Sequence, residues 1–415
     1  MRIILALLAT SALAACGGGT GGAITSVGTT TTTTTTAGTT TVNNYAEFTN
    51  PTTTHTYTTL GGDQTFQYST QSNNASQQQQ IYAANLETPR NSVLSITYNP
   101  TAATYTLALN DPATSGSANA AFQDPASKID FAKGNPQWGT PNNLTTQSSI
   151  VYHQTGDGNP ISPYLVSGSG VFTSYGNATS PASVPSQQTS TYIANSFFFQ
   201  QPGGSATQYV TFAGYLRNNM TYTWVTPTNG APYQNIQWNL TRGAFVYGVP
   251  TTNSNVPTTG TATFNGNMIA SMVYNLDPQN ADSTYFQWIT GTASTAVDFG
   301  KNTVSTTLTG TVQAPQVDTY TTYNPANATI ATGSTFNASG TATINMQSTG
   351  GFAGTLSSAS FTNGATVTKL NLDPTASVLN GTFYGPVGQE VGGGFRAVGT
   401  NPNQRVDIIG AFTGK

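Results

Sequence analysis

Thr303-Val-Ser-Thr-Thr-Leu-Thr-Gly-Thr-Val312 is the stretch whose pattern decides the architecture. Val304, Leu308, Gly310 and Val312 fall on one side of an extended chain, with Thr303, Ser305, Thr307, Thr309 and Thr311 on the other. A period of two with one apolar and one hydroxyl face describes a half-buried β-strand. Upstream, Ala262, Phe264, Gly266 and Met268 share a face opposite Thr261, Thr263, Asn265 and Asn267, and Val297 and Phe299 lead into the turn Gly300-Lys301-Asn302. Downstream, Phe336, Ala338, Gly340, Ala342, Ile344 and Met346 repeat the pattern. The final strands read Gly381-Thr-Phe383, Val391-Gly-Gly-Gly-Phe395 and Val406-Asp-Ile-Ile-Gly-Ala-Phe412. With strands near 285–290 and 352–356 the total is about eight, which fits a closed small barrel filled by its own side chains. Glycines alternating with phenylalanines on the inner face let the sheet curl and leave room for the rings. Phe264, Ile344, Phe383, Phe395 and Phe412 share the inward register, so the interior is expected to be packed.

Working toward the N-terminus, the period stays at two and no long helical stripe occurs. Leu94, Ile96 and Tyr98 alternate with polar residues, Asn99-Pro100 interrupts, and Tyr105, Leu107 and Leu109 resume, which is a hairpin signature. Further strands are expected at Ile150 to Tyr152, Val171 to Tyr175, Tyr192 to Phe199, Tyr209 to Leu216, Tyr222 to Val225 and Ile236 to Val246. Pro250, Asn253, Asn255 and Pro257 break pairing and mark a boundary. The fold class is therefore all-β, with a sheet domain over residues 45–256 and an eight-stranded antiparallel barrel over residues 257–415.

The first residues read differently. Arg2 supplies a positive charge, Ile3 to Leu13 form a mostly apolar run, and small residues lead to Cys16. That is a secretory signal, too short for a hydrocarbon core that needs ~20 residues to span. Leu13-Ala14-Ala15-Cys16 resembles the lipobox of bacterial lipoproteins, which implies a signal peptide over residues 1–15 and an acylated Cys16 at the new N-terminus. Two or more acyl chains convert marginal membrane binding into stable anchoring. Gly17, where an aspartate is absent, resembles lipoproteins passed to the outer membrane. Residues 16–44 read as the lipidated cysteine followed by a disordered Gly/Thr tether, including the run Thr29 to Thr36.

Composition excludes several functions. Charged residues are 6% of the 415, and 11 Lys and Arg cannot build the basic stripe of a nucleic-acid binder. The single cysteine excludes an intramolecular disulfide, so stability comes from burial. His55 and His153 are the two histidines and read as polar loop or edge residues, without Cys, Asp or Glu at metal-ligand spacing. No Gly-x-Ser-x-Gly elbow occurs, Gly392-Gly-Gly394 is not followed by the Lys-Ser/Thr of a phosphate loop, and Glu390 has no acidic neighbour for paired-carboxylate chemistry. Glu390 reads as a strand residue satisfied by local hydrogen bonds. No catalytic residue, metal or cofactor is expected.

Thr258-Thr-Gly-Thr-Ala-Thr-Phe-Asn-Gly266, Val297-Asp-Phe-Gly300, Asn380-Gly-Thr-Phe-Tyr-Gly-Pro386, Glu390-Val-Gly-Gly-Gly-Phe395 and Gly410-Ala-Phe412 together resemble the barrel of transferrin-binding protein B. Tyr209-Val-Thr-Phe-Ala-Gly-Tyr215 resembles the handle that precedes such a barrel. The resemblance implies one handle and one barrel in a surface lipoprotein of the outer membrane. Such a protein captures an extracellular protein or an iron- or haem-bearing ligand and passes it to a TonB-dependent uptake receptor. Two other classes stay open: a haem or small-solute binder, and a structural or adhesive surface protein. For the solute binder the candidate site is the handle–barrel cleft or the aromatic segments holding Phe198 and Trp224. The scarcity of charge departs from what a transferrin binder would show, because it leaves little electrostatic steering. Interfaces would then rest on Tyr, Phe and Trp anchors.

Overall fold

The computed structural model describes residues 31–35, 38–42, 45–71, 74–89, 94–111, 116–123, 128–129, 141, 144, 150–156, 189–204, 206–230, 232–275, 284–314, 330–401 and 404–415. The signal segment, Cys16 with its lipobox, and the strand expected at 171–175 lie outside the described residues. Within the segment expected as a disordered tether, β1 (Thr31–Thr35) pairs antiparallel with β2 (Gly38–Val42). Threonine's β-branched side chain favours extended backbone, which is the physical reason for this departure.

Ten strands build the first large sheet. They are β3 (His55–Gln71), β4 (Asn74–Leu86), β5 (Leu94–Asn99), β6 (Thr104–Asp111), β7 (Gly116–Gln123), β8 (Lys128–Ile129), β9 (Ile150–Gly156), β10 (Thr189–Gln200), β11 (Val210–Val225) and β12 (Tyr233–Gly248). Their order is β7-β6-β5-β3-β12-β11-β10-β9-β8, with β4 also on β3. The ends curl toward each other: the rings of Tyr105 and His153 lie 5.2 Å apart, and those of Phe122 and Phe197 5.9 Å apart. The result is a nearly closed barrel around Tyr57, Ile96, Phe197, Phe199, Phe245 and Tyr247. Two expectations change here. The strands expected at 209–216 and 222–225 are one continuous strand, because polar Asn218 is buried and accepts a hydrogen bond from Arg242 at 3.0 Å. His55 and His153 are buried strand residues rather than loop residues, His55 hydrogen-bonding Thr53 at 2.9 Å and His153 stacking on Phe199 at 5.9 Å.

The second sheet comprises β13 (Thr261–Asn275), β14 (Thr284–Asp298), β15 (Thr303–Val312), β16 (Thr335–Asn345), β17 (Gly351–Asn363), β18 (Thr366–Lys369), β19 (Asn371–Leu372), β20 (Val378–Tyr384), β21 (Glu390–Asn401) and β22 (Gln404–Gly414). Eight of them run β16-β15-β14-β13-β22-β21-β20-β17, and β16 pairs β17 to close the ring, as the alternation predicts. Phe264, Ile344, Phe383, Phe395 and Phe412 all join one interior cluster. Two of the rings lie on glycine backbone: a Cβ on Gly410 would sit 2.3 Å from the Phe395 ring, and one on Gly393 2.7 Å from the Phe412 ring.

One face of the first sheet packs on one wall of the barrel. Leu60, Phe198, Phe212 and Val246 meet Ile269, Trp288, Tyr384 and Ala411, while Phe66, Tyr68, Ile236 and Trp238 meet Val273 and Phe286. The connecting segment is stitched down as well, since Thr251 donates from its backbone to Phe383 O at 2.9 Å and from its hydroxyl to Gly385 O at 2.6 Å.

Candidate functional site

The junction between sheet and barrel holds several of the barrel's charged groups, among them Glu390, Arg396 and Asp407. β21 runs along it with glycines at two outward positions. A Cβ on Gly394 would lie 2.6 Å from Gly61 Cα, and one on Gly392 2.9 Å from Val210 Cγ2, so the two backbones approach as only glycine allows. At the end of the same strand, Glu390 accepts hydrogen bonds from three successive backbone N–H groups, Gln208 at 2.6 Å, Tyr209 at 2.7 Å and Val210 at 3.2 Å. These partners lie on the other sheet, not in the local strand, which corrects the expectation of local hydrogen bonds. Burial raises the Glu390 carboxyl above its ordinary range, against the opposing pull of the three N–H donors.

Arg242 of β12 enters the junction from the sheet. It is fully buried, donates to Asn218 Oδ1 at 3.0 Å and Thr241 O at 2.9 Å, and places its guanidinium 5.0 Å from the Phe286 ring of the barrel. Burial pushes its pKa down to about 9. On the barrel side, Asp407 takes a two-pronged bond from Arg396 at 3.0 and 2.7 Å and a further one from Arg405 at 3.0 Å, while Gln64 of the sheet donates to Asp407 O at 2.9 Å. These contacts fix the register of sheet on barrel, and apolar side chains of both pack around them, leaving a cavity of about 20 Å³ lined by Thr59, Leu60, Pro250, Thr382 and Tyr384.

Phe198 belongs to that filling. It is fully buried on β10, 5.3 Å from Tyr152 and 5.8 Å from Trp288 by ring centroid. Trp224 is half-buried near the far end of β11, opposite Gln234, whereas Phe198 is opposite Gly214. The ten residues from Gly214 to Trp224 span ~33 Å of strand, so the structure does not bring the two candidates together. Among the described residues no cluster of three or more His, Cys, Asp or Glu side chains could hold a metal ion.

Among the described residues, two concave surfaces are roomy enough for a ligand. One is a groove of about 530 Å³ on the barrel, bordered by Thr261, Thr263, Asp298, Thr303, Ser305 and Thr343. The other, about 300 Å³, lies on the first sheet, on the side turned from the barrel, with Gln67, Asn219, Gln237 and Asn239 among its lining. Sequence reading missed the second, because its residues come from four strands and share no motif.

A curled sheet docked through one face onto a closed eight-stranded barrel defines a two-part, all-β architecture. Residues 256–415 match the family model for the C-lobe and N-lobe beta barrels of Tf-binding protein B. Solved structures similar to the chain include a mutant of Transferrin Binding Protein B from Haemophilus parasuis Hp5, at 13% identity over 86% of this chain and 76% of that one, TM-score 0.26. Transferrin binding protein B from serogroup B Neisseria meningitidis is 11% identical over 88% of this chain and 77% of its own, TM-score 0.23. A Surface Lipoprotein is 13% identical over 57% of this chain and 84% of its own, TM-score 0.21. No curated protein matches the chain.

Proposed function

We propose that the protein is a non-enzymatic surface lipoprotein of the outer membrane, anchored through acylated Cys16. It captures an extracellular protein or an iron- or haem-bearing ligand and passes it to a TonB-dependent receptor. The observation that carries this reading is the match of residues 256–415 to the barrels of Tf-binding protein B, in a chain whose Leu13-Ala14-Ala15-Cys16 resembles a lipobox. Transferrin is one protein of the right kind. The 6% charge content argues for recognition through aromatic and hydroxyl contacts rather than long-range steering.

Two experiments test the parts separately. Cys16→Ser should move the protein from the membrane to the soluble fraction, since acyl chains contribute ~0.8 kcal/mol per buried methylene and are the only anchor in this reading. A variant that still sediments with membranes in detergent-free buffer removes the lipoprotein claim. For capture, the detergent-solubilised protein is immobilised and exposed to iron-loaded transferrin and to haem. Saturable binding of either supports the reading, and binding of neither overturns it.

A further inference from the structure

β12 carries two codes on its two faces. Its even-numbered residues, Ile236 through Val246, are buried against the barrel along the whole strand, whereas the odd-numbered face passes from buried Tyr247 and Phe245 to half-buried Asn239 and exposed Gln237. β3 and β11 change in the same direction at the same level, and this gives a two-by-three grid. Asn219, Asn239 and Gln67 sit directly opposite one another across three strands, and Thr221, Gln237 and Ser69 form the next row. Strand spacing sets neighbours in a row ~4.8 Å apart and the rows ~6.8 Å apart.

Four features distinguish this patch from a solvated sheet face. It is concave, with a cavity of about 300 Å³, at the lower end of ligand-pocket size. None of the described residues that line it is charged. Its rim carries Ile81 of β4, which is opposite Gln67 and 61% exposed. The Oδ1 of Asn219 is shielded from solvent and accepts no hydrogen bond from any described residue.

We propose that this cleft binds a neutral saccharide. A carboxamide offers two donors and an acceptor from one planar group, and a sugar hydroxyl is likewise donor and acceptor, so the four amides of Gln67, Asn219, Gln237 and Asn239 match a ring of vicinal OH groups. Rotation of the half-buried Asn219 carboxamide toward the cleft would let a sugar hydroxyl donate to its Oδ1, which has no donor among the described residues. Ile81 supplies an apolar surface for the C–H face of the ring. An anionic ligand would call for Arg or Lys at the contact, and none lines the cleft. The inference is independent of protein capture by the barrel or handle.

The test uses the full chain in detergent on an array of neutral, sialylated and sulfated glycans, followed by calorimetric titration with the best neutral oligosaccharide. Neutral glycans should bind. Gln237→Ala and Asn239→Ala should each weaken binding about tenfold, the loss of roughly one hydrogen bond. Both variants should melt as the parent does, because Gln237 is exposed and Asn239 half-buried. Thr307→Ala, on the barrel's open face, should leave the affinity unchanged. Binding confined to charged glycans, neutral binding that neither cleft variant weakens, or no binding at millimolar sugar would each overturn the assignment.

Discussion

β15 and β22 belong to the same barrel and read as different kinds of strand. Along β15 every second residue is exposed and the others are buried, so the hydroxyls of Thr303, Ser305, Thr307, Thr309 and Thr311 face water while Val304, Leu308 and Val312 face the core, where Thr306 pairs its hydroxyl with that of Thr295. β22 is buried on both sides from Val406 to Gly414, with Ile408 and Phe412 inside the barrel and Ile409 and Ala411 under the first sheet. The inner demand is the same for both. The outer demand differs, because one wall meets solvent and the other meets a second sheet. Alternation is thus the signature of a wall that nothing covers, and its loss marks where another layer sits.

The sharpest way to separate inner from outer demand is Phe395→Ala. That ring lies inside the barrel over Gly410, and its removal should cost about 3 to 5 kcal/mol through lost burial and a cavity. Denaturant unfolding that gives an unchanged midpoint would show the interior is not tightly packed. Next in size is a matched pair on the two outer walls. Gly394→Val drives a side chain into Gly61 and should cost about 1 to 3 kcal/mol or more. Thr307→Val on β15 should stay within about 0.5 kcal/mol. Equal effects in thermal melts would erase the distinction between walls.

The smallest effect is pH-dependent. Because the folded-state pKa of Glu390 is raised, its contribution is fully present below the ordinary glutamate value and is lost as pH rises through the raised one. Glu390→Gln mimics the protonated form and removes that dependence. Across about pH 4 to about pH 8, the stability advantage of the parent over the variant should narrow as pH rises. A constant difference would mean that burial does not govern this carboxyl. Glu47 has the opposite sign: hydrogen bonds from Thr52 hold its carboxyl down at about 2, so its contribution is present above the ordinary glutamate value and fades as pH falls toward that figure.

This asymmetry also explains what could be read in the sequence. The open wall was legible, since β15 and β16 carry a clean period of two, and the Phe and Gly positions that fill the barrel fell on the expected face. The hairpin of β5 and β6 was legible for the same reason, helped by Asn99, whose Oδ1 accepts from Ala102 N at 3.1 Å in the turn. β3 was not. Its centre, Gly61-Gly-Asp-Gln64, looks like a loop, yet those residues are buried because glycine permits contact with Gly394 and Gln64 reaches Asp407. Glu390 was misread for a related reason: its donors lie about 180 residues away in sequence, with |i−j| of 182, 181 and 180. Distances of that kind leave no local trace.

Both sheets join an early strand to a late one, β3 to β12 and β13 to β22, and in the second this pairing is part of a closed ring. Seen as a sequence of events, this gives the chain two clocks. The first sheet can be assembled as soon as β12 has emerged, but it then waits with its apolar face bare until β21 and β22 arrive to complete the wall it docks on. Nonlocal closure of this kind is slow, and unsealed edges invite foreign pairing while it lasts. The interval between the two steps is when the molecule has most need of protection, and the moment of greatest exposure is set by topology rather than by the strength of any single contact.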